Sequence, residues 1–436
     1  MKPPLRATLL ALALLPALLA GCRGPVAEEG SPLDAVLDRL EGLAAAEPSR
    51  ASLRRIGLGA SAAFPDGDPA LPIESIRVVG ASWKAGDPVV QVLGSMHGNE
   101  PLGAELCLSL AELALGPGDE KTPAALARVA LDILPVANPR GFAEGSRYLY
   151  ATDDPYVDPN RSFPMDYLPA AAGSTASGTL PSHPEIRGLA EDAASERYAI
   201  SISLHTGDYR ICIPWDYIGT VDYGDTVGIG TGTPYAEGLG SYVNLYSPAH
   251  PWFVARGAAY AALVEAAAGE APGSFPAVQG YDWYYAGGTY GDWLYLKLGT
   301  APFTIELSGL QGGDSVLPEV VTAAKAAHLD ALVALVAAAR LGLGGSVKDA
   351  VTKAAVAARV EARPAASSRA PSWTDPVEYL PFALAHEDGT FRIALQPGRW
   401  ELSVSAPGYA TATRAVAIGD SGSLEGIAIS LASLTP

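Results

Sequence analysis

The sequence predicts an α/β protein built on a mixed, mostly parallel sheet flanked by helices, followed by a small all-β sandwich. Short apolar runs at 89–93, 129–136, 198–204 and 303–305 alternate with helical stretches, the pattern of strand–helix–strand crossovers and so of parallel pairing. Each run leads to residues that can do chemistry or start a functional loop: His97 with Glu100, Asn138, His205 and Glu306. From residue 341 the texture becomes short alternating runs cut by Gly, Pro and Asp, which is all-β grammar.

The elements follow in order. A helical apolar spacing (Leu33, Val36, Leu37, Leu40, Leu43) precedes a β-rich stretch around Ile73, Ile76 and Val78. The strand at 89–93 stops at Gly94. Pro101 then suits the first turn of a helix carrying Leu102, Leu106, Leu110 and Leu113. A long segment from 142 to 184, rich in Gly, Pro, Ser, Asp and Tyr, carries Arg147 and VDPNRSFP, a length that marks a functional or a disordered loop. A helix at 184–196 precedes the run ending at His205. Helices at 258–268 and 318–340 follow, with the loop DWYYAGGTYGDWLY and the strand leading to Glu306 between them.

The composition bounds the function. A chain of 436 residues with 49% hydrophobic content and 47 Gly has the makings of more than one folded domain. Its net charge of −18, with no basic run beyond the first residues, argues against a nucleic-acid partner. Lys2 and Arg6, an apolar stretch at 9–20 and small residues up to Cys22 read as an export signal, since such a stretch falls short of the ~20 residues a spanning helix needs. LAGC at 19–22 resembles a bacterial lipoprotein cleavage box with Cys22 as the lipidated residue, so the chain is expected at the periplasmic or cell-surface side of a membrane, held by its acyl chains. Only Cys107 and Cys212 then remain, and spacing alone leaves both a disulfide and two buried thiols open.

In a parallel sheet, ligands bind beyond the carboxyl ends of the strands, so the chemistry of this chain is expected on one rim. His97, Glu100 and His205 are the two-histidine, one-glutamate set of a catalytic zinc site, which keeps a coordination position open for water. One zinc ion there would lower the pKa of water toward ~7 and polarise a carbonyl, which suits hydrolysis of an acyl bond. Glu306 can serve as base and the loop arginines as electropositive groups, while an Arg fork beside an Asn amide suits a carboxylate.

These residues resemble the zinc metallocarboxypeptidases, in the branch that includes carboxypeptidases N, E and D. HGNE at 97–100 and His205 match that branch's metal motifs, and NPRG at 138–141 resembles its Asn-Pro-Asp-Gly corner. DPNRSFP resembles Asp-Leu-Asn-Arg-Asn-Phe-Pro, which implies that Asn160 and Arg161 bind the terminal carboxylate of a peptide substrate. The resemblance also implies that Arg147 polarises the scissile carbonyl, with Arg140 the weaker candidate, that Tyr284 caps the substrate and that Glu306 is the general base. DGTF, LQPGRWEL and PGY resemble turns of the transthyretin-like sandwich that follows the catalytic domain in that branch. The expected organisation is a signal at 1–22, a tether at 23–32, a catalytic domain at 33–340 and a transthyretin-like sandwich at 341–436.

Departures bear on specificity. Pro159 replaces a leucine, and Gly291 falls where other members place a residue lining the side-chain pocket, so no acid is expected from that position. The same zinc site could instead serve a peptidase of the γ-D-glutamyl bond of cell-wall peptides or an N-acyl amino acid deacylase. A non-catalytic binding module is the reading from another class, and the filled catalytic positions argue against it.

Overall fold

A computed structural model describes residues 31–116, 121–151, 156–164, 183–216, 247, 249–284, 286–313, 316–365 and 380–434. The leader with Cys22, and Tyr285, lie outside the described residues.

The larger unit contains helices α1 (Pro32–Ala46), α2 (Leu102–Leu115), α3 (Lys121–Leu126), α4 (Pro139–Glu144), α5 (Pro184–Glu196), α6 (His250–Ala268), α7 (Gly280–Trp283), α8 (Tyr290–Leu298) and α9 (Pro318–Ala337). Its strands are β1 (Ala51–Leu58), β2 (Pro72–Val79), β3 (Val89–Gly94), β4 (Ala130–Leu134), β5 (Ile200–His205), β6 (Asp208–Ile213), β7 (Ala277–Gln279) and β8 (Ala301–Ser308). They form one sheet in the order β1-β2-β4-β3-β5-β8-β6-β7. The centre, β4-β3-β5-β8, is parallel, while β2 on β4, β1 on β2 and β6 on β8 are antiparallel. The sheet is therefore a parallel core with antiparallel flanks, and its half-exposed edge strand β1 carries too many arginines to show an apolar run.

Helices cover both faces because the central strands are apolar on both. Val90 and Val92 of β3 join a core with Leu106 and Leu110 of α2 and Leu332 and Leu335 of α9. Leu93 turns the other way, to Ile186 and Leu189 of α5 and to Trp293 and Leu294 of α8. The helix Pro318–Arg340 is long and apolar enough to cross a membrane by composition, but Ala327, Ala331, Leu332 and Val336 place one face in this core.

Two details differ from the pattern in the sequence, and the cysteines settle a question it left open. Helix α6 begins at His250 rather than at 258, because Pro251 fits its first turn and Trp252 and Phe253 bury there. The Gly- and Tyr-rich stretch after residue 280 contains the short helices α7 and α8, the latter started by Thr289, whose side chain accepts from the Asp292 amide. Cys107 and Cys212 are separate, buried free thiols.

Among the described residues the smaller unit has seven strands, β9 (Gly342–Asp349), β10 (Arg359–Pro364), β11 (Phe382–Leu384), β12 (Thr390–Ile393), β13 (Gly398–Ser405), β14 (Ala412–Ile418) and β15 (Ser423–Leu431). They form two sheets, β11-β10-β13-β14 and β12-β9-β15, around a separate core of Val347, Val360, Phe391, Trp400 and Val404. This unit meets the larger one at the amino ends of the central strands: a Cβ on Gly299, just before β8, would lie 2.2 Å from the Phe382 carbonyl oxygen. The carboxyl ends, where β3 leads to His97 and β5 ends at His205, are on the opposite rim.

Candidate active site

The metal-ligand corner is made by close backbone packing. A Cβ on Gly94 would lie 2.5 Å from the Gly103 carbonyl carbon, so glycine lets strand β3 run directly against helix α2. Gly98 packs on Gly141 in the same way, a Cβ there falling 2.0 Å from the Gly141 carbonyl carbon, which joins the HGNE turn to the NPRG turn. Between them Ser95 adopts a left-handed φ of 43°, strained for a non-glycine residue, and its hydroxyl donates to the Glu100 carbonyl at 3.2 Å.

His97, Glu100 and His205 are all buried, and one ligand atom from each lies within 4.8 Å of the others. Glu100 Oε1 is 2.8 Å from His97 Nδ1, Glu100 Oε2 is 2.9 Å from His205 Nδ1, and the two Nδ1 atoms are 3.2 Å apart. The outer ring nitrogens are engaged elsewhere. His97 Nε2 lies 3.2 Å from Asp158 Oδ1, and His205 Nε2 lies 2.9 Å from Ser203 Oγ. A proton on each Nε2 leaves both Nδ1 lone pairs pointing inward beside a carboxylate. Three acceptors aimed at one point are a donor set for a cation, and two imidazoles with one carboxylate suit zinc. Burial opposes ionisation of Glu100, but His97 and His205 outweigh it and hold its carboxyl well below the usual range.

Arg147 stands beside this set. Its Nη2 and Nε donate to Asp158 Oδ2 at 2.8 and 3.0 Å, and its Nη1 reaches Glu100 Oε1 at 3.4 Å. Asn138 keeps it there, because the Asn138 amide donates to the carbonyls of Arg147 and Tyr148 while its Oδ1 caps helix α4. Arg140, the weaker candidate, instead pairs with Glu144 at 2.9 Å and lies over the Tyr150 ring.

Glu306 enters from β8, directly opposite His205 in register. Its Oε2 is buried without a hydrogen-bond partner. Burial raises its pKa well above the usual glutamate value, Glu100 and Asp208 push the same way, and Arg147 and Arg210 oppose them. An unpaired carboxyl in such a place is costly unless a proton or a ligand engages it.

Asn160 and Arg161 lie on a single turn of 3-10 helix, Pro159–Arg161, started by the Asp158 side chain accepting from the Asn160 amide. Asn160 Oδ1 accepts from the Tyr290 amide at 3.0 Å, and Arg161 Nη2 donates to the Tyr284 hydroxyl at 3.1 Å. These residues, with His97, His205, Tyr284 and Glu306, line one pocket.

The same pocket contains Asp216, which sequence reading missed. It follows β6, and its carboxylate fits because Gly280 has no side chain: a Cβ there would fall 1.9 Å from Asp216 Oδ1. Burial raises its pKa, with a Thr289 hydrogen bond and Arg161 opposing. Position 291 contributes no acid, but a Cβ at Gly291 would lie 3.9 Å from Asp216 Oδ2, so the segment after β6 brings an acid to this place. The backing contacts of Asp158 and Ser203 were also missed. Ser203 had a signal, since residues two apart on a strand share a face.

The model of the zinc carboxypeptidases matches residues 40–322. The chain belongs to the zinc carboxypeptidase family. Among relatives of this zinc carboxypeptidase, human carboxypeptidase Z is 25% identical over 361 residues, covering 76% of this chain and 51% of its own length. The mouse carboxypeptidase N catalytic chain is 29% identical over 189 residues, covering 38% of this chain and 41% of its own. The chain thus spans about half the length of carboxypeptidase Z. Bovine thrombin-activatable fibrinolysis inhibitor, solved with tick carboxypeptidase inhibitor, has the same fold: TM-score 0.51, 18% identity, 70% of this chain and 96% of that one covered. The family's zinc fits the donor set of His97, Glu100 and His205.

Proposed function

We propose that this zinc carboxypeptidase removes the C-terminal residue of peptides and favours a cationic one, lysine or arginine. The observation that carries it is a single pocket lined by the two histidines of the metal set, His97 and His205, the unpaired Glu306 carboxyl, the Asn160–Arg161 pair and the recessed Asp216.

Zinc, when held by His97, Glu100 and His205, supplies a Lewis acid and lowers the pKa of water. Arg161 and the Asn160 amide receive the free carboxylate of the substrate, and Tyr284 stands over that position through its contact with Arg161. Arg147 supplies positive charge where the carbonyl oxygen becomes an oxyanion. Glu306 Oε2 takes a proton from the attacking water and gives it to the leaving amine. Asp216, facing the substrate side chain, gains a partner when that side chain carries a cation.

Residues 1–22 are proposed to direct export, with Cys22 acylated and 23–32 a tether, a reading supported by the sequence alone. Residues 341–436 are read as an accessory, transthyretin-like sandwich. A Cys22→Ala variant should leave the membrane fraction and lose metabolic lipid label.

Zinc-loaded protein should trim a peptide ending in free Lys and leave its C-terminal amide intact. No trimming of any free peptide, or equal cleavage of the amide, would falsify the reading. Cleavage of γ-D-glutamyl cell-wall peptides or N-acyl amino acids alone would transfer the site to those chemistries.

A further inference from the structure

Arg210 stands next to the reacting centre and has no part in the mechanism above. It lies on β6 directly opposite Glu306 of β8, so the two side chains share one face of the sheet. Its Nη2 pairs with Asp208 Oδ2 at 2.6 Å, and its guanidinium carbon lies 4.8 Å from the centre of the Trp283 ring. Trp283 in turn packs edge to face on Tyr284, ring centres 4.5 Å apart, and the Tyr284 hydroxyl accepts from Arg161. A continuous series of contacts therefore runs from the strand beside the base, through two aromatic rings, to the carboxylate clamp.

We propose that Arg210 is a positioning residue for substrate capture: pinned by Asp208, it holds the Trp283 indole so that Tyr284 stands closed over Asn160 and Arg161. The inference rests on the carboxypeptidase reading given above. A guanidinium over an indole is attractive and directional, and edge-to-face aromatic pairs favour one relative orientation. The backbone of the Trp283–Tyr284 segment is tied by the Tyr284 amide to the Gly280 carbonyl and by the Ala286 amide to the Asp216 carbonyl, bonds that leave the orientation of the two rings to their side-chain contacts among the described residues. Without the guanidinium the indole loses its platform, and Tyr284 must be ordered at the moment of binding. That ordering weakens binding and spares the chemical step.

The test compares Arg210→Met, Arg210→Lys, Trp283→Leu and the Arg210→Met/Trp283→Leu double variant on a peptide ending in lysine. Arg210→Met should raise KM by about five- to thirtyfold with kcat within about twofold, the range expected from loss of one cation–π contact. Arg210→Lys should recover part of the loss, and the double variant should be no worse than the worse single one. Hydrogen exchange gives a readout independent of turnover: the Tyr284 and Ala286 amides should exchange faster in Arg210→Met and keep wild-type rates in Arg210→Lys. Unchanged exchange and KM in Arg210→Met, additive effects, or a fall in kcat alone would overturn the proposal. Should Arg210→Met not fold, the exchange and KM of Trp283→Leu and Arg210→Lys decide by the same criteria. Wild-type protein that cleaves no peptide, with the exchange pattern as expected, would sink the carboxypeptidase reading and leave standing only the ordering of Trp283 and Tyr284 by Arg210.

Discussion

His205 and Glu306 are register partners on neighbouring parallel strands, β5 and β8. Parallel register fixes their separation along the sheet, so an imidazole of the candidate metal set and the Glu306 carboxyl are held at the same height on the rim. A one-residue slip of β8 would turn Glu306 to the opposite face and leave His205 beside an apolar neighbour.

Glu306→Gln keeps the size and place of the side chain and removes its basicity. Turnover should fall by about 10²–10⁴-fold, the usual contribution of a positioned general base. Bound zinc, measured by elemental analysis, should stay at the wild-type ratio. Retained turnover would assign the proton transfer to another group.

Asp158 backs His97 and holds Arg147 at once. Asp158→Asn should weaken zinc binding by about 10–100-fold, the range for removing such a partner of a ligating histidine. Chelator competition measures it, and an affinity within twofold of wild type would reduce Asp158 to a loop contact.

Asp216→Asn keeps a polar side chain in the pocket and removes its charge. The ratio of kcat/KM for peptides ending in Lys over those ending in Phe should fall by about tenfold or more, the value of a hydrogen bond to a charged group. An unchanged ratio would place specificity elsewhere.

His328 is buried on α9, with the Tyr260 hydroxyl 2.9 Å from its Nδ1, and burial pushes its pKa down to about 4. In the unfolded chain it titrates near 6.5. Because the folded value is lowered, the unfolded state takes up the proton first as pH falls. This contribution to stability is whole above pH 6.5 and is lost toward pH 4, with a slope of up to about 1.4 kcal/mol per pH unit. His328→Gln should flatten the denaturation free energy over that window. An identical slope in wild type and variant would mean that other groups govern the acid limb.

What could be read in advance was local. The strand-then-helix alternation and the Gly94 to Leu102 corner depend on side-chain period and on residues a few positions apart, so HGNE and DPNR are visible as motifs. Strand β1 was hidden by Arg54 and Arg55, and the early start of α6 by the irregular run before it. Asp216 had no local signal, because its meaning depends on the space left by Gly280 and on the approach of Thr289.

The sequence by itself determined which residues could bind a metal, move a proton or grip a carboxylate, because those capacities belong to side-chain chemistry and short spacing. The tertiary structure decided which of them share one pocket, that Asp158 and Ser203 turn both imidazoles inward, and that Arg210 lies against Trp283. The physical reason is that β6 doubles back antiparallel along β8, a pairing set by packing across the whole sheet and written in no single stretch of the chain.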